Sequence, residues 1–425
     1  MTARAVRNFR RAVILPLMAP VVLFEDYRFG DLLPLLFWRS VFEMRLGRKI
    51  VMDRAAQRLN APIAGIWTRD WIASVAAQRC GAPANKPLSG PTLLINGRWL
   101  FDSVEKFPET PCVGTIGDDI AFVVCDAALA SRIRPEDLLD VRRCSDALSG
   151  VPREPASGRM IRYPWDVICH LGDLLRSDWR PSDATISSKC DPALVLEPTD
   201  QIHVGERTHI HPTAVIDASQ GPIFVGDDVS IGALAVIEGP AYIGPGSRVH
   251  PHSWFHGGNA IGPVCKVGGE ICGCVINGYT NKQHAGFLGH AYVGSWVNIG
   301  AGAVNSDLKN TYGSVRVPVN GHEVDSGRRF FGAIIGDHAK IGINATIPTG
   351  GVIGFAVSVA STAPLPKFVP SLSWVTPDAM TEGDPARALD LATRVMARRD
   401  IDMTDEEIEL FLNLKDRIPS FEVHR

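Results

Sequence analysis

Twelve histidines are scattered through the chain, and five of them, His250, His252, His256, His284 and His290, crowd into one stretch. Imidazole changes charge near neutral pH, so each is a candidate proton acceptor. Most histidines in proteins only pack or sit on the surface. His284 stands apart because of where it falls. It lies in 270–286, where an otherwise regular repeat is interrupted. A side chain must leave a regular wall if it is to face a cleft. A positioned imidazole there would act as a general base toward a nucleophile. The same five histidines make a second chemistry thinkable, in which three imidazoles from adjacent subunits hold zinc.

The wall is written in the repeat. Val225, Ile231, Ile237, Ile243, Val249, Phe255, Ile261 and Val267 stand six places apart, and five of the eight are followed by Gly. A helix repeats at 3.6 and a strand at 2, so a period of six fits neither. It fits hexapeptide repeats, in which three short strands make one triangular coil of a left-handed parallel β-helix. The aliphatic residue points inward and stacks on its equivalents in neighbouring coils. The following Gly is expected to turn the corner at positive φ. The period recurs at Val204, Ile210 and Ile216, at Phe287, Val293 and Ile299, and at Ile335, Ile341, Ile347 and Ile353. Breaks fall near 270–286 and 305–334. At roughly 18 residues per coil this predicts about seven coils. Their length would be about 33 Å.

Three domains are expected: an α/β domain over 1–200, the β-helix over 201–362, and a helical tail over 363–425. Val21–Phe24, Ile63–Trp67, Thr92–Ile95 and Ile120–Val124 are apolar runs fit for buried strands. Val51–Leu59, Asp70–Arg79, and runs opening at Pro135 and Pro164, read as helices. The apolar run 12–24 follows Arg4, Arg7, Arg10 and Arg11. It is too short to cross a bilayer, lacks a small-x-small cleavage site, and leads into Phe24-Glu25-Asp26 as a first strand would. Polar residues 178–201 read as a linker, and the Pro-rich segment Thr362–Pro370 should leave the prism. Thr404-Asp-Glu-Glu407 has capping-box spacing ahead of a helix over Ile408–Asp416. A net charge of −3 gives no electrostatic reason to expect nucleic acid. Nine cysteines without a CxxC pair suit reduced thiols in a cytoplasmic protein with no membrane span. Cys272 and Cys274 read as packing residues on one strand face.

The run from Gly278 through Tyr-Thr-Asn-Lys-Gln-His-Ala-Gly-Phe-Leu-Gly-His-Ala-Tyr-Val to Gly294, with Val297-Asn-Ile-Gly-Ala-Gly302 after it, resembles a known family. It is similar to the acetyltransferase half of bifunctional sugar-1-phosphate nucleotidylyltransferase/acetyltransferases. The closer resemblance is to the alternative bacterial branch, the UDP-N-acetylglucosamine diphosphorylase/glucosamine-1-phosphate N-acetyltransferases. Phe24-Glu-Asp, Leu32-Leu-Pro-Leu-Leu, Arg39, Arg45-Leu-Gly, Leu94-Ile-Asn-Gly-Arg and Tyr163-Pro-Trp-Asp166 look like that branch's first domain. The resemblance implies acetyl transfer from acetyl-CoA to an amino-sugar 1-phosphate, then nucleotidyl transfer to give a nucleotide sugar for the cell envelope. It makes His284, five residues before Gly289, the base that takes the amine's proton. Glu270 matches an acidic residue of the sugar site. Asn298 and Ala301 match a turn that meets substrate and acetyl-CoA. Asp307 is a further candidate for binding substrate, and Lys282 and Lys309 would meet the sugar phosphate by their charge. The family's cleft lies between neighbouring prisms, which implies a homotrimer.

Two departures stand out. Phe287 occupies a place where the better-known enzymes carry Tyr. Asp307-Leu-Lys-Asn310 replaces Asn-Tyr-Asp-Gly. The first domain lacks the Gly-rich phosphate loop, as the alternative branch does. Arg39 and Arg45 would then take phosphate through their guanidinium groups, and Asp118 and Asp119 would take Mg²⁺. The competing expectations are a single-activity acyltransferase with a degenerate first domain, a scaffold without activity, and the zinc site.

Overall fold

The computed structural model describes residues 19–101, 107–191 and 195–422. It contains two compact units. The smaller is the chain up to Tyr27 together with Val51–Met160, and the larger is Arg28–Ile50 together with Ile161 onward. The division therefore does not fall at 200. Residues 28–50 and the helix Pro164–Asp178 fold with the coil.

In the smaller unit six strands form one sheet in the order Ile63–Trp67, Val21–Phe24, Thr92–Asn96, Asp119–Cys125, Cys112–Ile116, Arg153–Pro155. Val21–Phe24 pairs in parallel with both of its neighbours. The four expected strands all form, and their continuous apolar runs are those of strands buried on both faces. The apolar run at the N-terminus does end as the first strand. Its residues 12–18 lie outside the described residues.

The larger unit is a parallel β-solenoid. Two of its faces carry nine successive parallel strands each, from Ile202–Val204 to Phe368–Val369 and from His209–Ile210 to Ser373–Val375. The expected seven coils were too few, because irregular corners hid the ends. Val195–Glu197, inside the expected linker, already pairs with Val215–Asp217. The Pro-rich segment does not leave the prism: Phe368–Val369 pairs with Val352–Ile353. The break at 305–334 holds an antiparallel hairpin, Arg316–Val319 with His322–Asp325. Two helices follow, Pro385–Ala397 and Asp405–Arg417. Thr404 caps the second, its hydroxyl accepting from the Glu407 amide at 3.2 Å while the Glu407 carboxylate accepts from the Thr404 amide at 3.0 Å.

The prism's inside is a column of Val, Ile and Ala, as the repeat requires. The repeat glycines have a different reason from the one expected. Gly226, Gly232, Gly244 and Gly262 are not at positive φ; the left-handed conformation falls on nearby corner residues such as Asp228, Leu234 and Val264. The glycines are needed for close approach. A Cβ on Gly262 would stand 2.6 Å from the Gly278 amide nitrogen, and one on Gly232 would stand 2.7 Å from that of Pro251. Successive coils meet backbone to backbone there.

Gly262→Ala should therefore lower stability by about 1–3 kcal/mol through overpacking. Gly313→Ala, whose new carbon would find no atom nearer than 3.8 Å, should change it by less than about 0.5 kcal/mol. Urea unfolding midpoints of the two variants test the difference.

Candidate active site

The 270–286 break is a shortened coil. Lys266 follows Arg248 by eighteen places in register, but Asn281 follows Lys266 by only fifteen. The missing residues move the inward positions. Val249, Val267 and Lys282 stack in one register, so Lys282 takes the place of a core aliphatic. Leu288, 2% exposed, takes the inward place expected of Phe287, which turns outward beside Glu270.

Lys282 is 1% exposed. Its Nζ donates to the carbonyl oxygens of Gly268 at 3.0 Å and His284 at 2.7 Å. Desolvation pushes its pKa down to about 8. It is thus not a surface cation for a sugar phosphate, as expected from its charge. It is an internal prop that holds the backbone of His284 from beneath.

The propped segment 283–286 bulges out at one corner, and His284 is exposed. Its neighbours come from the coils before and after. The Glu270 amide donates to the Gly286 carbonyl at 3.3 Å, and the Gly302 amide donates to the Ala285 carbonyl at 3.0 Å. Gly268 and Gly269 leave room for the bulge: a Cβ on Gly269, which has a φ of +77°, would stand 2.9 Å from the His284 oxygen. The structure thus brings Glu270, His284 and Ala301 together at one corner of three successive coils. Asn298 is exposed on the strand leading to Ala301.

His250 lies under the same bulge. Its pKa is held below the ordinary value by burial and then by His284, Lys266 and Arg248, while a hydrogen bond from its ring to the Gln283 side chain opposes the shift.

The face beyond the corner is acidic and aromatic. Glu270 Oε1 lies 3.3 Å from His256 Nε2, and Trp254 stacks on His256 and bonds Glu238 at 2.8 Å. Asp307 Oδ2 lies 2.8 Å from His290 Nδ1, a pairing the sequence did not reveal. Lys309 donates to the Ser314 carbonyl at 3.1 Å within the inserted segment. Cys274 packs in the core, whereas Cys272 lies outside it across a corner, so the two do not share a face. The five histidines do not gather into one site: His256 and His290 each meet a carboxylate, and His252 is exposed at a separate turn.

The other expected residues are placed differently from the expectation. Arg39 and Arg45 belong to the solenoid unit. Arg39 is buried on Asp337, with Nε 3.3 Å from Oδ2, and bonds Ser295 at 2.9 Å. Arg45 is buried, donates to the Arg48 carbonyl at 2.7 Å and lies over the Tyr242 ring. Both fasten the 28–50 segment to the coil, so neither is the phosphate ligand of an α/β domain. Asp118 is exposed in a hairpin turn, while Asp119 is buried on Arg98 at 3.0 Å. The two do not converge, and as a pair they do not fit Mg²⁺.

What does converge in the smaller unit is a network at the carboxyl ends of its parallel strands. Arg98 Nε donates to Asp26 Oδ1 at 2.8 Å, and Asn96 Nδ2 donates to Asp26 Oδ2 at 2.8 Å. Arg69 Nε donates to Glu25 Oε2 at 2.9 Å. Open α/β sheets take ligands at this edge. The signal was present in Phe24-Glu25-Asp26 and Asn96-Gly97-Arg98, polar residues directly after apolar strands.

Residues 21–183 match the model of a family described as sugar nucleotidyl transferase. Among curated proteins, the bifunctional protein GlmU of Acidithiobacillus ferrooxidans is 29% identical over 191 residues, 43% of this chain and 40% of that protein. Over these stretches the chain is similar to GlmU-like proteins. A bifunctional sugar-1-phosphate nucleotidylyltransferase/acetyltransferase of Sulfurisphaera tokodaii is 35% identical over 111 residues, 26% of this chain and 27% of that protein. The chain spans about two fifths of the length of the first curated relatives it matches. Among solved structures, a UDP-N-acetylglucosamine acyltransferase from Bacteroides fragilis aligns with 54% of this chain and 97% of its own, at 16% identity and a TM-score of 0.25. Among the described residues no helix is long and apolar enough to cross a membrane.

The buried ammonium makes stability depend on pH. Lys282 titrates near 8 in the fold against an ordinary 10.5. Between those values the unfolded chain still binds the proton and the folded chain does not, so stability rises with pH. Against Lys282→Met, the wild type should gain about 1–3 kcal/mol across that window. Urea titrations near pH 7 and pH 10 measure it, and a constant difference would mean that the amine keeps its proton when folded.

Proposed function

We propose that the chain is a transferase whose solenoid carries acetyl from acetyl-CoA to the amine of an amino-sugar 1-phosphate, glucosamine 1-phosphate first among them. The observation that carries this reading is the corner where Glu270, His284 and Ala301 meet on three coils, with the backbone of His284 propped from inside. Its support from outside the structure is the similarity to GlmU-like proteins.

The imidazole of His284 accepts the proton of the attacking amine. The nitrogen bonds to the thioester carbonyl carbon, the carbon–sulfur bond breaks, and the proton passes on to the departing thiolate. Glu270, which faces outward beside Phe287, holds the amine close to the base. Phe287 has no hydroxyl to offer the intermediate, so stabilisation of its oxyanion falls to other donors. Asn298 and the Ala301 turn meet the substrates in this reading. Asp307 reaches the acceptor as part of a pair with His290.

In the smaller unit, the strand-end network of Asp26, Asn96, Arg98 and Asp119 is the proposed seat for nucleotidyl transfer. A phosphate oxygen of the acetylated sugar attacks the α-phosphorus of a nucleoside triphosphate, and pyrophosphate leaves. The triphosphate enters as its magnesium complex.

The active assembly is a homotrimer. Leu234, Trp254 and Ile343 stand 52%, 44% and 61% exposed on the coil, and the assembly would cover them. Light scattering of the purified chain should give three times the chain mass.

Incubation with glucosamine 1-phosphate, acetyl-CoA, UTP and Mg²⁺ should yield N-acetylglucosamine 1-phosphate and then its uridine diphosphate derivative by mass spectrometry. His284→Ala should cut acetylation by about 10²–10⁴-fold and leave the uridylyl step on the pre-acetylated sugar intact. Equal acetylation by the variant would remove His284 from the mechanism.

A further inference from the structure

The solenoid face on the other side of the His284 corner has the opposite charge. Arg248 and Lys266 are register partners on adjacent coils, both facing outward, and Asn281 is the next residue in that row. Arg399, just past the helix Pro385–Ala397, reaches the row and donates to Asn281 Oδ1 at 2.8 Å. Arg398 is exposed beside it. None of these four cations is in an ion pair among the described residues. Burial first, and then Arg399, Arg248 and Arg398, push the Lys266 ammonium below its ordinary pKa. Three buried arginines of this chain are each paired with carboxylates: Arg39 with Asp337, Arg69 with Glu25, and Arg98 with Asp26 and Asp119. Four cations drawn together without a carboxylate repel one another, and the repulsion is relieved when an anion binds.

We propose that Arg248, Lys266, Arg398 and Arg399 form a phosphate-binding site that seats the phosphate end of a substrate whose other end reaches His284. The link to the corner is His250, which follows the Arg248 strand and packs against the turn: a Cβ on Gly268 would stand 3.0 Å from His250 Cβ and 2.3 Å from the Gln283 carbonyl oxygen. The site deepens the proposed acetyl transfer and rests on it only for the identity of the ligand. It also supplies a phosphate contact in place of the one that buried Lys282 does not make. The phosphate has two sources, the sugar 1-phosphate acceptor and the phosphates of the coenzyme donor.

Calorimetric titration of the full chain with glucosamine 1-phosphate, and separately with coenzyme A, distinguishes them. Lys266→Ser and the exposed-site variant Arg398→Ser should each weaken one ligand by about tenfold or more and leave the other unchanged. The affected ligand should also bind more weakly as salt is raised. Equal affinities in wild type and both variants would overturn the site. So would a wild type that binds neither ligand nor inorganic pyrophosphate. A wild type that binds in this way yet acetylates nothing would sink the acetyl-transfer reading and leave the phosphate site standing.

Discussion

In the solenoid each coil lies on the next with backbone against backbone at the corners, so closely that a single carbon does not fit at Gly262 or Gly232. That closeness keeps the parallel ladders in register and lets the inward side chains form one continuous column. It also restricts where a functional group can stand. Side chains at regular corners stack on their equivalents in neighbouring coils, as Tyr279, Trp296 and His338 do. The shortened coil before Asn281 is a fault in that regular stacking, and the His284 corner follows it.

The fault is why the site was only partly legible in the sequence. The period of six placed the solenoid and its inward residues wherever the coils were regular. Across the break a count in sixes failed, because three residues were missing from one turn. Phe287 was put inside where Leu288 belongs, and Lys282 was judged by its charge rather than by its place in the stack. Counting fifteen from Val267 instead of eighteen would have put Lys282 in the core. The C-terminal end of the solenoid is hidden for a related reason: prolines at 364, 366 and 370 look like an exit, yet Pro364 bridges in parallel to Thr346 and the Leu365 amide completes the pairing. In the α/β unit the strands were plain from their apolar runs, but pairing among charges was not. Asp118 and Asp119 are adjacent in sequence and differ completely in environment. Arg39 and Arg45 precede most of the first domain's strands in the chain but fold with the solenoid. Only tertiary structure tells such cases apart.

A lysine inside a column of aliphatic side chains is costly unless its ammonium finds acceptors. Lys282 finds two backbone carbonyls, and one belongs to His284. The bulge at 283–286 exposes carbonyls that regular stacking would have paired, and the lysine answers that need from within. An apolar residue at this position would fill the core equally well and leave the His284 carbonyl without its donor. The irregular turn and the internal cation therefore support each other: the turn supplies one of the two acceptors that make the buried amine tolerable, Gly268 of the preceding coil supplies the other, and the amine fixes the turn that carries the imidazole outward. Two neighbouring coils add their own amides, from Glu270 and Gly302, so the turn is held from three directions, and among the described residues no hydrogen bond ties down the His284 ring. That leaves the ring free for the proton transfer proposed for it.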